Sequence, residues 1–432
     1  MSGTLQLALN RVPLGQLLFD GATDQYRLDY HQAWLDFGGY PVSPHLKPGA
    51  APPESVRRFL ANLLPEGRWL DELSLNRRIS KTNIFGLVAA IGAETTGALT
   101  FQPGAQDAPS IPTSFRPVPP EELAERIRRR RDLSIALWDG KPRLSVAGVQ
   151  EKLPVLILPD GRMGFGEGDL ASTHILKFGN KPEMHLVINE YFCMELARRM
   201  KLPVAEVRLA RHGEPVLAVR RFDRRWVKDG LVDRLHMIDG CQMLDLPPIY
   251  KYERPFGKGG DAAVIRSGAN LPALFAACGR CTVPAAAARD LLNRVLFQLL
   301  IGNSDAHAKN LSYFVGSGGI TIAPAYDLLC LDIYGGQYDR DLALAVGDTF
   351  DPDKVQPYQL AEMGEVCRLP QRQMAKALAT MARNMVRLLD GFMIDEELTG
   401  DERMFVDELA ARLRKNANRY LGYAAELPGV VI

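Results

Sequence analysis

The chain has few cysteines, almost no net charge and no long apolar run. Six cysteines scattered over 432 residues do not suggest a disulfide framework and favour a reducing compartment. A formal net charge of +1 gives no support to nucleic-acid binding from overall charge. No apolar run approaches the roughly 20 residues of a membrane span, and the N-terminus lacks the features of a signal peptide. These absences predict a cytoplasmic protein with no membrane partner.

The composition that is present is that of a globular protein of several domains. Apolar residues make up 47% and charged residues 24% of the chain. A length of 432 residues allows two to three domains at about 100–200 residues each. Shifts in composition divide the chain into an N-terminal subdomain at 1–102, a proline-rich linker at 103–120, a β-rich lobe at 121–238 and a helical lobe at 239–432.

The first segment has the pattern of a small α+β module. Strand-like alternation occurs at 5–9, 14–19 and 26–30, helical spacing at 55–64 and 82–91, and a closing strand is expected at 97–101. The six prolines of 103–120 predict a linker or an extended strap. Residues 121–133 predict a helix with a basic end, at Arg126 and at Arg128 to Arg131. This run could be a nucleic-acid or phosphoprotein patch, but a solvated helix face is favoured.

The most informative stretch lies between residues 300 and 331. Asp305 and Asn310 form the pattern D-x-x-x-x-N, and Asp327 follows one predicted hairpin later. Phosphoryl transfer needs an aspartate to orient the attacking hydroxyl, and an amide oxygen with a second carboxylate to hold Mg²⁺. The apolar helix predicted at 291–301 would place Asp305 on a loop, where His307 and Lys309 add positive charge. The stretch predicts an ATP-dependent kinase, although D-x-x-x-x-N alone also arises by chance or as a helix cap.

The β-rich lobe offers groups for phosphate. Lys177 ends an apolar strand, and the helix that follows carries Glu190, a possible partner for it. Residues 144–152, LSVAGVQEK, precede another strand, and their small side chains would let backbone N–H groups approach phosphate oxygens. No G-x-G-x-x-G stands where a protein kinase would have it. Gly164 to Gly168 is the nearest imitation, and we expect it to be an exposed turn.

Five motifs in order, SVAGVQEK, HILKF, RRFDRR, GNSDAHAKN and AYDLL, give the chain a resemblance to the HipA family of bacterial toxin kinases. NLLPEGRW and GALTF resemble that family's N-terminal subdomain, so the likeness covers nearly the whole chain. The resemblance implies an α+β, two-lobed protein-kinase-like fold with a small N-terminal α+β subdomain. It also implies a Ser/Thr kinase toxin that uses ATP and Mg²⁺, is bound by a HipB-like helix-turn-helix antitoxin, and represses its own operon on operator DNA.

The resemblance assigns roles residue by residue. A family target is glutamyl-tRNA synthetase, whose phosphorylation halts translation and induces persistence. Ser145 matches the family's inhibitory autophosphorylation site. The implied catalytic residues are Asp305 and His307, the metal ligands Asn310 and Asp327, and the ATP-binding residues Val146, Ala147, Gly148, Val149, Gln150, Glu151, Lys152, Lys177 and Asp239. Glu190 joins the predicted ATP site as the possible partner of Lys177.

Three other features of the sequence can be interpreted. Residues 236–242 resemble the hinge between kinase lobes, with Asp239 as a ribose ligand. The run from Arg220 to Arg225 reads as the exposed end of a strand. Cys278 and Cys281 form a C-x-x-C without the second pair of a zinc site or the context of a redox dithiol, and we expect no function for them.

Two alternatives remain open. Aminoglycoside-type phosphotransferases share D-x-x-x-x-N and a later aspartate, but their usual H-G-D is missing here. A pseudokinase that serves as an antitoxin-bound corepressor on DNA would have lost catalytic groups, whereas Lys177, Asp305, Asn310 and Asp327 are all present.

Overall fold

The computed structural model describes the chain except residues 1, 93–94, 105–111, 144–150, 180, 182–183, 228–229, 392–393 and 395–397. The chain divides into two compact units. The first unit comprises Met1–Phe178, Ala210–Pro248 and Tyr313–Ile320, and the second comprises Gly179–Leu209, Ile249–Ser312 and Thr321–Ile432.

The first unit begins with a four-stranded antiparallel sheet of order β3-β2-β1-β4. Alternate leucines of β1, Leu5 and Leu7, are buried, as the period-two pattern predicts. The strands predicted at 5–9, 14–19, 26–30 and 97–101 are confirmed. The elements are β1 (Gly3–Leu9), β2 (Val12–Asp20), β3 (Gln25–Tyr30), α1 (Gln32–Asp36), α2 (Pro53–Asn62), α3 (Arg68–Arg77), α4 (Ile84–Ile91) and β4 (Leu99–Pro103).

A second sheet has the strand order β11-β12-β10-β8-β9-β5. One face of it carries a buried core that includes Leu153, Leu176, Phe178 and Val216. The segment contains β5 (Ser114–Pro117), α5 (Pro120–Arg128), β6 (Leu137–Trp138), β7 (Lys141–Pro142), β8 (Lys152–Ile157), β9 (Met163–Glu167), β10 (His174–Phe178), α6 (Leu186–Arg199), β11 (Val207–Arg211), β12 (Pro215–Arg220), β13 (Arg224–Trp226) and β14 (Val232–Arg234).

Two sequence interpretations in this region are wrong. Residues 163–167 are not an exposed turn but β9, which pairs with β8 and β5 and buries Phe165. The run from Arg220 to Arg225 is exposed only at its two ends, Arg220 and Arg225. Arg221 and Arg224 are buried because both form ion pairs with the buried carboxylate of Asp223, at 2.8 and 2.6 Å. Residues 114–117, inside the proline-rich segment, form the edge strand β5, which agrees with an extended strap.

The second unit is mainly helical. Helices α11 and α12 pack on each other, and both contact α6 and α9. The helix predicted at 291–301 is confirmed and begins earlier, because Pro284 occupies the first turn of α9. The remaining elements of the chain are β15 (Met237–Asp239), α7 (Gly240–Leu244), α8 (Leu271–Ala277), α9 (Pro284–Ile301), β16 (Ser312–Gly316), β17 (Gly319–Ile322), α10 (Pro357–Val366), α11 (Gln371–Leu389) and α12 (Gly400–Glu426).

Among the helices that the structure describes, none combines the length and the apolar content required to cross a membrane.

Candidate active site

The loop that carries Asp305 is set by the end of α9. The helix buries Leu296, Phe297 and Leu300, and it stops at Gly302, which adopts the left-handed conformation at φ 69°. A Cβ atom on Gly302 would lie 2.9 Å from the Cβ atom of Asp332, so this position requires glycine for space as well as for conformation. The end of the buried helix therefore fixes where the loop that carries Asp305 begins.

Asn303 connects the two proposed carboxylate positions. Its Oδ1 accepts a hydrogen bond from the backbone N–H of Asp305 at 3.1 Å, and its Nδ2 donates to the backbone oxygen of Asp327 at 3.3 Å. The same amide nitrogen donates to Gln298 on α9 at 2.8 Å. Because Asn303 is 2% exposed, these bonds form out of water, where leaving them unmade is costly.

Asp305 is held at its backbone and at its side chain. Its carbonyl oxygen accepts from the backbone N–H of His307 at 2.8 Å and from Nδ2 of Asn310 at 3.1 Å. Its carboxylate oxygen Oδ1 accepts from the hydroxyl of Tyr252 at 2.8 Å. The carboxylate is half-buried. A carboxylate fixed in this way is suited to orient a hydroxyl group that attacks phosphorus.

Asn310 and Asp327 have the donor chemistry of Mg²⁺ ligands. Because Nδ2 of Asn310 bonds to Asp305, its Oδ1 is the amide atom left to meet a metal ion, and amide and carboxylate oxygens are ligands that Mg²⁺ prefers. Asp327 adopts the left-handed backbone conformation, with φ 60°, which aspartate tolerates better than most residues. Backbone hydrogen bonds that join Ala325 to Pro203 and Ala205 fix the chain before it. The residues present therefore fit a magnesium ion.

His307 and Lys309 lie in the same loop and are both buried. The ring of His307 meets the ring of Tyr252 edge to face, with the centroids 5.1 Å apart. The carbonyl oxygen of Lys309 accepts a hydrogen bond from the hydroxyl of Tyr326 at 2.7 Å. The loop thus carries two basic side chains beside the proposed base, as the motif suggests.

Helix α6 carries Glu190 and is fastened to the segment after Asp327. Glu190 is 1% exposed. The neighbouring Asn189 donates from Nδ2 to the carbonyl oxygen of Cys330 and accepts from its N–H through Oδ1, both at 2.8 Å. A third bond, at 2.9 Å, joins Nδ2 to the hydroxyl of Tyr334. The position of α6 is therefore coupled to the chain that holds Asp327.

In the first unit, Lys177 and Lys152 lie opposite each other on β10 and β8. Directly opposed residues of antiparallel strands project from the same face, and like charges so placed repel. This is the face of the sheet opposite the core that contains Leu153 and Leu176. Lys177 is 8% exposed. Two lysine side chains therefore share this face of the sheet.

Glu151 adjoins this pair, and its carboxylate is engaged by two arginines. It forms ion pairs with Arg130 at 3.0 Å and with Arg68 at 3.2 Å. Arg130, from the basic run after α5, also pairs with Glu214, and its side chain is only 11% exposed. The interpretation of that run as a solvated face is wrong for Arg130. Ser145, Val146, Ala147, Gly148, Val149 and Gln150 lie outside the described residues.

Asp239 has a structural role at the start of α7. Its Oδ1 accepts from the backbone N–H of Gln242 at 2.9 Å, and the Gln242 side chain accepts from the N–H of Asp239 at 3.0 Å, which makes a capping box. Cys278 and Cys281 are both buried free thiols, and burial raises the pKa of Cys278 to about 12.

Sequence reasoning missed Tyr252, Asn303 and Asn189. Asn303 lies two residues before Asp305, within the 300–331 stretch that predicts the kinase. Its position in the sequence could therefore have identified it as a residue of the site. Tyr252 is 53 residues away from Asp305 in the chain, and Asn189 is 141 residues from Cys330. A local sequence pattern cannot predict contacts between residues so far apart in the chain.

Comparison with known proteins identifies the family. The sequence-family model of the HipA N-terminal domain matches residues 5–102, and the family model of the HipA-like C-terminal domain matches residues 144–389. The chain is 38% identical to the serine/threonine-protein kinase toxin HipA of Shewanella oneidensis, over 99% of this chain and 98% of the relative. It is 32% identical to a putative kinase of Sinorhizobium fredii, over 84% of this chain and 86% of that one.

A solved structure gives the same result. The chain resembles HipA in the Shewanella oneidensis complex of HipA, HipB and operator DNA with a TM-score of 0.90 and 38% identity, over 99% of this chain and 100% of that one. The α+β, protein-kinase-like fold expected from the sequence is thereby confirmed. The chain belongs to the HipA family of bacterial serine/threonine-protein kinase toxins.

Proposed function

We propose that this HipA-family kinase transfers the γ-phosphate of ATP to a serine or threonine hydroxyl of a protein and acts as the toxin of a HipBA-like toxin–antitoxin system. The observation that carries the proposal is the loop in which Asn303 joins the backbone of Asp305 to that of Asp327, while Asn310 braces Asp305. Phosphoryl transfer uses an aspartate, a metal-binding amide and a second carboxylate, and hydrogen bonds connect one of each here.

The proposed reaction forms a bond between the acceptor oxygen and the γ-phosphorus and breaks the bond from that phosphorus to the bridging oxygen, so that ADP leaves. Asp305 orients the acceptor hydroxyl and takes its proton. Asn310 and Asp327 would hold Mg²⁺, which supplies positive charge to the phosphate oxygens. His307, close to Asp305 in the loop, is proposed to approach the γ-phosphate.

The nucleotide is proposed to be bound by residues of the sheet and its neighbours. Lys177 and Lys152 supply charge to the phosphates, as their shared face supports. Residues 146–150 are proposed as the phosphate loop, and Glu190 and Asp239 complete the set of nucleotide-site residues. Glu151 is proposed as a further residue of the nucleotide site, and its carboxylate forms ion pairs with Arg130 and Arg68.

Regulation and partners are proposed from the family. The Shewanella oneidensis relative was solved with HipB and operator DNA. We propose that a HipB-like helix-turn-helix antitoxin binds this chain and that their complex binds operator DNA. Phosphorylation of Ser145 by the kinase itself is proposed to inhibit it. The proposed target is an aminoacyl-tRNA synthetase such as glutamyl-tRNA synthetase, so that transfer would stop translation and growth.

A direct test offers two kinds of acceptor to the purified chain. Radiolabelled ATP and Mg²⁺ are incubated with glutamyl-tRNA synthetase or with a panel of aminoglycosides, and label transfer is measured. We expect label on the synthetase with the parent chain and none with Asp305→Asn. Transfer to aminoglycosides alone would identify a small-molecule kinase and overturn the proposal. Label that reaches neither acceptor, from a parent that does label proteins of a cell extract, would reject the synthetase but retain the protein kinase.

A further inference from the structure

Tyr252 contacts the proposed base from a distant part of the chain. Its hydroxyl donates to Oδ1 of Asp305 at 2.8 Å, a normal length for a hydrogen bond to a carboxylate. Its ring meets the ring of His307 edge to face at an interplanar angle of 86°. One tyrosine therefore touches both residues that the motif assigns to catalysis.

The segment around Tyr252 is tied down on two sides. The N–H of Ala269 donates to the carbonyl of Tyr250 at 2.8 Å, and the N–H of Gly268 donates to the carbonyl of Glu253 at 3.1 Å. The two backbones approach so closely that a Cβ atom on Gly268 would lie 1.8 Å from the carbonyl oxygen of Tyr252. Position 268 must therefore be glycine for the segment to keep this path.

Glu253 anchors the other side of the segment. It is 4% exposed, and its backbone N–H donates to the carbonyl of Ala343 at 3.0 Å. Its carboxylate accepts from the N–H of Ala345 at 2.8 Å and from Nε of Arg266 at 2.7 Å. A buried carboxylate with these partners resists displacement. The Tyr252 hydroxyl is thus presented to Asp305 by a rigid frame.

We propose that Tyr252 is a positioning residue for the phosphoryl transfer, an inference that rests on the proposed function. By donating to Oδ1, it holds the Asp305 carboxylate in one rotation, the orientation in which the carboxylate is to receive the hydrogen bond of the acceptor hydroxyl. A base that is free to rotate spends part of its time in unproductive orientations, and the rate of the chemical step falls accordingly. The opposite interpretation, in which Tyr252 occupies the place of the acceptor and inhibits transfer, requires a segment that can withdraw, and the anchors on both sides disfavour it.

The test uses three variants of one segment. Tyr252→Phe removes the hydroxyl and keeps the ring against His307, Tyr252→Leu removes both, and Tyr250→Phe makes the same chemical change two residues away. Initial rates of phosphate transfer give kcat and KM for ATP, and thermal unfolding monitors folding. We expect both Tyr252 variants to lose about 10- to 100-fold in kcat, the range for a hydrogen bond to a charged group. The KM for ATP should stay within about twofold, and Tyr250→Phe should match the parent.

The outcomes separate this inference from the proposed function. If the parent transfers phosphate and Tyr252→Phe keeps its kcat while Tyr252→Leu does not, the ring matters only for packing and the inference fails. A kcat that rises in Tyr252→Phe would show an inhibitory contact and would also overturn it. A parent that transfers no phosphate overturns the proposed function itself, and this inference with it.

Discussion

The side chains proposed to handle phosphate are charged groups at places where burial makes a charge costly. Lys177 is 8% exposed and lies opposite Lys152, so each lysine raises the cost of the other. Such an arrangement is favourable when an anion is bound between them. Binding of the ATP phosphates beside the two lysines, as proposed above, would lower that cost.

Replacing Lys177 by methionine should remove that charge while keeping the length of the side chain. We expect the rate of phosphate transfer to fall by about 100-fold or more, because a charged group aimed at the phosphates is lost. Initial rates and titration calorimetry with Mg-ATP measure the effect. Lys141→Met is the matched control, since Lys141 is exposed and pairs with Glu167. A normal rate in Lys177→Met would exclude Lys177 from the site.

At the residue scale, only part of the site could be predicted from the sequence. Asp305, Asn310 and Asp327 could be recognised because loops of phosphoryl-transfer enzymes space their oxygen ligands within one short stretch. Tyr252 could not, since the fold rather than the local sequence brings it to Asp305. Arg221 and Arg224 were misread because a charged run usually lies in solvent, and only the structure shows Asp223 buried with them.

At the scale of elements, α5 and the start of β8 are joined through Arg130. Its ion pairs with Glu151 and Glu214 link the turn after α5 to the residue next to Lys152. Arg130→Ala should raise the KM for ATP by about tenfold, because a small displacement of a binding group costs that much. Steady-state kinetics test this against Arg128→Ala, whose guanidinium is exposed on α5. Equal KM values in the two variants would argue against a role for this connection.

Helix α6 and the chain after Asp327 form a second connection. Asn189→Ala would leave the buried N–H and carbonyl of Cys330 without their amide partner. We expect the free energy of unfolding to fall by about 1–3 kcal/mol, the usual cost of unsatisfied buried groups. Urea unfolding measures it, and Tyr334→Phe, which removes only the bond from Asn189 to the tyrosine hydroxyl, should cost less. If Tyr334→Phe lowers the free energy of unfolding as much as Asn189→Ala does, the bonds between Asn189 and the Cys330 backbone contribute little to stability.

Many helices and strands could be predicted from the sequence, because burial on one face leaves a regular spacing of apolar residues. Leucines alternate in β1 and recur with helical spacing in α9. β9 was not predicted, since its glycines suggest a turn. Gly164 is required because a Cβ atom there would lie 2.1 Å from the carbonyl oxygen of Arg116 on β5, a contact that the sequence alone cannot reveal.

At the scale of the whole molecule, His236 makes stability depend on pH. Burial lowers its pKa from 6.5 to about 4, although its bond to the carbonyl of Val42 opposes this. Between these values the unfolded chain binds a proton that the folded chain does not, so stability is complete above pH 6.5 and declines as the pH falls towards 4. The loss is on the order of 3 kcal/mol.

The pH effect can be isolated by substitution. His236→Gln keeps a donor for the Val42 carbonyl and removes the titrating group. Urea unfolding of parent and variant at several pH values from 7.5 to about 4 should show a smaller loss of stability in the variant. Identical losses in both proteins would contradict the assignment to His236.

Intact-mass analysis after incubation with Mg-ATP tests most directly whether Asp305 is the base of an active kinase that also phosphorylates its own chain. Dephosphorylated parent and Asp305→Asn are compared, with peptide mapping of any product. We predict the gain of one phosphate on Ser145 in the parent and none in the variant, with unchanged thermal unfolding. Equal phosphorylation of both proteins, or none in the parent, would contradict the account.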